Sequence, residues 1–159
     1  MEKPNNIFTK DPNIYYSVQT ANKIKGAIKY LKDKIRKKDR VLDIGCKSPM
    51  TTAIIKAFNI IIDNTEGDLD ISFTTPRNKY DVIIYSHTIE HQFNPLYTLL
   101  EIKKLMHHES ILYIFLPERG KLLWTNVHYH EIDNYRMRIL LERAEFKVLS
   151  KKYFKERRS

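Results

Sequence analysis

Four short apolar runs, separated by stretches whose apolar residues recur every three or four positions, constrain this chain most. The runs are Val41-Leu42-Asp43-Ile44, Ile60-Ile61-Ile62, Tyr80-Asp81-Val82-Ile83-Ile84-Tyr85 and Ile111 to Leu116. Each is the length of a buried strand, and polar or turn-forming residues stop each one: Gly45, Asp63, Ser86-His87 and Pro117. Between them lie helical patterns. Val18, Ala21, Ile24, Ile28, Leu31 and Ile35 mark a helix over 17–38, after an irregular arm at 1–16. Ser48-Pro49 and Asn94-Pro95 each place a capping side chain before a proline suited to a first helical turn. Helices should follow at Pro49 to Phe58 and from Pro95 through Leu105. Met137, Leu140, Leu141 and Ala144 predict one more helix, and Phe146 to Tyr153 alternates like a last strand.

Strand-helix alternation of this kind predicts an α/β fold: a Rossmann-like, mainly parallel sheet with right-handed crossovers and helices on both faces. The 159 residues suit one domain, with its core over 40–153. The segment from Asp63 to Tyr80 is too short for a full helix-strand pair, so the sheet should be shortened between its second and fourth strands.

The 28 Lys and Arg outweigh 19 Asp and Glu, a net charge of +9 that favours anionic partners. Much of the surplus lies over 23–38 and 147–158, where a solvated helix face explains it as well as a nucleic-acid footprint does. Nucleic acid is therefore a secondary expectation. No apolar run is long enough to cross a bilayer, and Met1-Glu2-Lys3-Pro4 lacks a signal-peptide pattern, so a cytoplasmic, non-membrane protein is expected. The single cysteine, Cys46, excludes an internal disulfide.

In open α/β sheets, ligands bind beyond the carboxyl ends of the strands, and Gly45 sits at such an end. Val41-Leu42-Asp43-Ile44-Gly45-Cys46 resembles the opening motif of class I S-adenosylmethionine-dependent methyltransferases, here of the type-11-like kind. Tyr80-Asp81-Val82-Ile83-Ile84-Tyr85-Ser86-His87-Thr88-Ile89-Glu90-His91, completed by Asn94-Pro95, resembles the family's fourth-strand segment. The family's Gly-x-Gly continuation is replaced by Lys47-Ser48-Pro49, and its Gly-Gly turn before the fifth strand by His107-His108-Glu109-Ser110. Glycines of G-x-G-x-x-G let the backbone approach a pyrophosphate. S-adenosylmethionine carries none, so their loss counts more against a dinucleotide than against a methyl donor.

The resemblance implies S-adenosylmethionine as cofactor, with Asp43, Gly45, Cys46, Lys47, Ser86 and His87 around it. Asp63, twenty positions after Asp43, is expected on the ribose hydroxyls and Asp68-Leu69 at the adenine, with Asp68 an alternative for the ribose. A base is needed only where the acceptor must lose a proton; His91, His128 and His130 are the candidates. No Asn/Asp-Pro-Pro-Tyr/Phe motif follows the fourth strand, which disfavours exocyclic base amines as substrates and leaves oxygen, carbon or another nitrogen open; a small-molecule or polymer-attached acceptor, at oxygen or carbon, is expected. His87-Thr88-Ile89-Glu90-His91 also fits H-x-x-E-H, but a zinc site of that kind needs a helix where a buried strand runs into His87, so no metal is expected. The rival reading is a non-catalytic descendant of the fold that binds RNA or a protein.

Overall fold

The computed structural model describes residues 23–86, 88–116 and 134–150. Helix α1 (23–31) leads to β1 (Val41–Asp43), α2 (Pro49–Phe58), β2 (Ile62–Asn64), β3 (Glu66–Asp68), β4 (Ser72–Thr74), β5 (Tyr80–Ser86), a 3-10 turn (Ile89–His91), α3 (Pro95–Lys104), β6 (Met106–Phe115) and α4 (Asn134–Arg143). Four strands form a parallel sheet in the order β2-β1-β5-β6. The protein has a Rossmann-like α/β fold.

Period-two alternation along the buried strands builds a core on each face of this sheet. Val41, Val82, Ile84 and Ile62 meet Ala27 and Leu31 of α1 and Met50 and Ile54 of α2. Leu42, Ile83 and Tyr85 face the other way, onto Leu99 and Ile102 of α3 and Met137 of α4. At roughly 25 cal/mol per Å² of apolar surface removed from water, these two layers are the main force holding the strands in register.

Both cap-and-proline signatures act as expected. Ser48 and Thr51 form a reciprocal capping box at the start of α2, and the Asn94 side chain accepts from the Tyr97 amide at the start of α3.

Other expectations are corrected. The first helix does not run to Lys38: α1 ends at residue 31, and Asp33 turns the chain away with a left-handed φ of 65°. Ile35 still packs against the core from the turn that follows. The strand of the fourth apolar run, β6, begins at Met106 rather than Ile111. Residues 107–110 bulge out between the Tyr80–Met106 and Val82–Ile111 pairs, where the Ser110 hydroxyl donates to the Tyr80 carbonyl at 2.6 Å. Residues 146–150 form no strand, and 151–153 lie outside the described residues with the arm at 1–16.

The shortened segment holds the antiparallel hairpin β3–β4, separate from the main sheet. Gly67 is required there: its φ is 108°, and a Cβ would meet the Ser72 carbonyl oxygen at 2.6 Å. The Asp70 carboxylate ties the hairpin to the entry of α3 by accepting the amides of Phe93 at 3.1 Å and Asn94 at 2.7 Å.

Candidate ligand site at the carboxyl edge of the sheet

Because β1, β2 and β5 are parallel, their carboxyl ends open onto one edge, bordered by the starts of α2 and α3. The turn after β1 forms the middle of that edge. The Ile44 amide donates to the Ile84 carbonyl, carrying the β1–β5 pairing one step further. Gly45 then takes a φ of 108°, with no heavy atom within 4 Å of where a Cβ would stand. Glycine is needed here for backbone shape, and the space it leaves is open.

Side chains at the end of β2 and just after it hold this turn. The Gly45 amide donates to Thr65 Oγ1 at 2.9 Å, and Asn64 Nδ2 donates to the carbonyls of Asp43 and Gly45, both at 3.1 Å. Neither Asn64 nor Thr65 was singled out from sequence. The signal was their position directly after Asp63, which became informative only once Asp43 was paired with Asn64 in the sheet.

Asp43 is 4% exposed, and one carboxylate oxygen accepts the Thr51 hydroxyl at 2.6 Å. Burial pushes its pKa up to about 6, only partly opposed by that hydrogen bond. Its charge is directed into the base of the turn, where it orders α2 against β1, and so Asp43 supports the site from beneath. Cys46 and Lys47 lie exposed at the lip.

The structure moves the expected ribose-binding acid. Asp63 accepts the Tyr80 hydroxyl at 2.8 Å and pairs with Arg77 at 3.3 Å, and it lines a cleft formed by the amino ends of the strands. The hydroxyl proton of Tyr80 is held in turn, its pKa pushed up to about 12 by burial and the Asp63 carboxylate. Spacing suggested Asp63 because it ends the apolar run, but β2 continues past it to Asn64. The exposed carboxylate just beyond the β2 end is Glu66, at the start of the hairpin.

Asp68 ends β3 and accepts the Asp70 amide at 2.8 Å, a local turn contact that leaves its second oxygen available. Leu69 packs against the α3-side core, while its carbonyl accepts the Thr98 hydroxyl at 2.7 Å.

On the β5 side, the buried Ser86 Oγ and Gln92 Oε1 have no hydrogen-bond partner among the described residues. An unmatched buried polar atom costs on the order of 1–3 kcal/mol, so each of these takes a partner beyond the described residues, from the chain, a water or a ligand. Gln92 is fixed through its other end, Nε2 donating to Thr98 at 2.6 Å. His91 closes the 3-10 turn, half-buried. His87, His128 and His130 lie outside the described residues.

No family model matches the chain, and no curated protein matches it. Among solved structures it is similar to coclaurine N-methyltransferase bound to N-methylheliamine and SAH, at 16% identity and a TM-score of 0.41. The match covers 57% of this chain and 35% of that one, so the chain spans little more than a third of the length of that enzyme. The fold assignment rests on the sheet order and the two-sided core.

Proposed function

We propose that the carboxyl edge binds S-adenosylmethionine and that the chain transfers its methyl group to a small-molecule or polymer-attached acceptor, at oxygen or carbon. The observation that carries this reading is the Gly45 turn: an open backbone shelf at a strand end, with the buried Ser86 hydroxyl at the end of neighbouring β5 unmatched among the described residues. The chain residues suit a phosphate-free adenosyl ligand. Lys47 would pair with the donor's carboxylate, and the exposed Glu66 or the second oxygen of Asp68 would accept the ribose hydroxyls. Cys46, Leu69 and Ser86 would complete the donor side above Asp43, and His87, outside the described residues, follows Ser86 in sequence. When bound, the donor supplies an electrophilic methyl group.

The protein's part is then to place the acceptor in line with that methyl and to keep water away. His91, or His128 or His130 from the segment after β6, would take a proton from a hydroxyl or carbon acid, since imidazole titrates near neutral pH. Isothermal titration with S-adenosylhomocysteine tests the reading. It predicts a saturable heat with micromolar affinity that Lys47→Glu weakens at least tenfold. No heat at millimolar ligand refutes donor binding.

A second reading, a non-catalytic fold that has lost its donor, draws on the same turn: Pro49 removes one amide from the helix start, and the Thr51 amide is already taken by Ser48. A folded chain that fails the titration supports it.

A further inference from the structure

At the opposite edge of the sheet, the amino ends of β1 and β2, with Arg77 from the segment before β5, enclose a cleft of about 300 Å³, whose lining includes Lys37, Lys38, Arg40, Ile61, Asp63 and Arg77. Its charges do not cancel. Each carboxylate is matched to one arginine: Asp39 to Arg36 at 3.5 Å, Asp63 to Arg77 at 3.3 Å and Asp81 to Arg40 at 3.2 Å. Asp81 is held well below the usual carboxylate range by the Arg40 guanidinium, so that pair stays charged on both sides. Lys37 and Lys38 are exposed and have no ion pair or hydrogen bond among the described residues, which leaves two positive charges in surplus.

The carboxyl end of α2 closes on the cleft at Asn59 and offsets only about half a unit of charge. Arg77 meets Asp63 through Nε and is half-exposed, so its terminal nitrogens remain able to donate. Ile61 stands on the rim 81% exposed, an apolar surface between cations.

We propose that this cleft is a binding site for the phosphodiester backbone of single-stranded RNA. A strand fits better than a free nucleotide. Exposed Lys32 and Lys34 precede the lining lysines closely in sequence, and the whole chain carries +9. The lining places Lys37, Lys38 and the terminal nitrogens of Arg77 as backbone-tracking cations, with Ile61 an apolar surface beside them. This site stands at the other end of the strands from the donor shelf and does not depend on donor binding.

Fluorescence anisotropy with a labelled twelve-nucleotide oligouridylate, at about 50 mM salt, tests it. The expected result is saturable binding that weakens with salt. Lys37→Ala with Lys38→Ala should weaken binding at least tenfold and lower the salt slope by about 1.4, at about 0.7 per lost phosphate contact. Lys25→Ala with Lys29→Ala, which removes the same charge from the exposed side of α1, should change affinity less than about twofold. Equal losses in the two double variants would overturn the proposal, as would absence of binding by the unaltered chain. Displacement of the RNA by inorganic phosphate at matched ionic strength would also overturn it, by pointing to an isolated phosphate site. All four lysines are exposed, and circular dichroism of both variants checks that the fold is retained.

Discussion

Replacing Asp43 with asparagine should make the protein's stability less dependent on pH, in a direction set by burial. The folded pKa of Asp43 is about 6, above its ordinary value of 3.8. The folded state therefore binds the proton more tightly than the unfolded state does. Stability from the protonated form is complete below pH 3.8 and is lost as pH rises through about 6. A shift of about two units is worth about 3 kcal/mol at neutral pH, at 1.36 kcal/mol per unit. Asparagine has nearly the same shape, keeps an oxygen to accept the Thr51 hydroxyl, and carries no charge to desolvate. Urea unfolding of parent and Asp43→Asn at about pH 4 and about pH 7.5 reads the effect. The stability difference should move in favour of the variant by roughly 2 kcal/mol between the two pH values, since some of the shift is already felt at the lower one. Any fixed cost of placing the amide nitrogen cancels in this comparison. A difference that stays constant with pH, or moves toward the parent as pH rises, would refute the idea that an uncompensated buried charge lies beneath the turn.

Thr51→Val removes the hydroxyl that donates to Asp43 and accepts from the Ser48 amide, and should cost about 1–3 kcal/mol, more at pH 7.5 than at pH 4, in the same unfolding assay. Gly45→Ala and Gly67→Ala share a φ of 108° but not their surroundings. The first should lose about 1–3 kcal/mol from backbone strain alone, and the second more, because its methyl meets a backbone oxygen; paired thermal melts should order them so. Asp70→Ala should release the β3–β4 hairpin from α3, read as faster amide hydrogen exchange over 66–74 with the main sheet unchanged.

The buried parts of the fold were legible because their residues answer to one demand. Val82 to Tyr85 are apolar on both faces because helices cover both, and Ser48-Pro49 and Asn94-Pro95 carry their capping chemistry locally. The hairpin was not legible. Glu66, Gly67 and Asp68 are all exposed and carry no alternation, so the pairing depends on Gly67 and on a long-range tie through Asp70. The start of β6 was missed for a related reason: residues 107–110 resemble a polar turn, and a hydroxyl contact to the Tyr80 carbonyl holds them beside the sheet. The Gly45 turn carries its signal locally, in the glycine that ends the β1 run. Asp63 was misplaced because counting along the chain does not tell which end of a strand a side chain serves; register does.

The lock formed by Ser48, Pro49 and Thr51 bears on how a ligand would be received. A proline with fixed φ and a capping box satisfied on both sides leave the start of α2 with little freedom still to lose. A ligand on the Gly45 shelf would meet a surface whose ordering entropy was already spent during folding, so more of its contact energy would appear as affinity. The same stiffness narrows the range of shapes the shelf accepts, because the turn cannot open to admit a larger group.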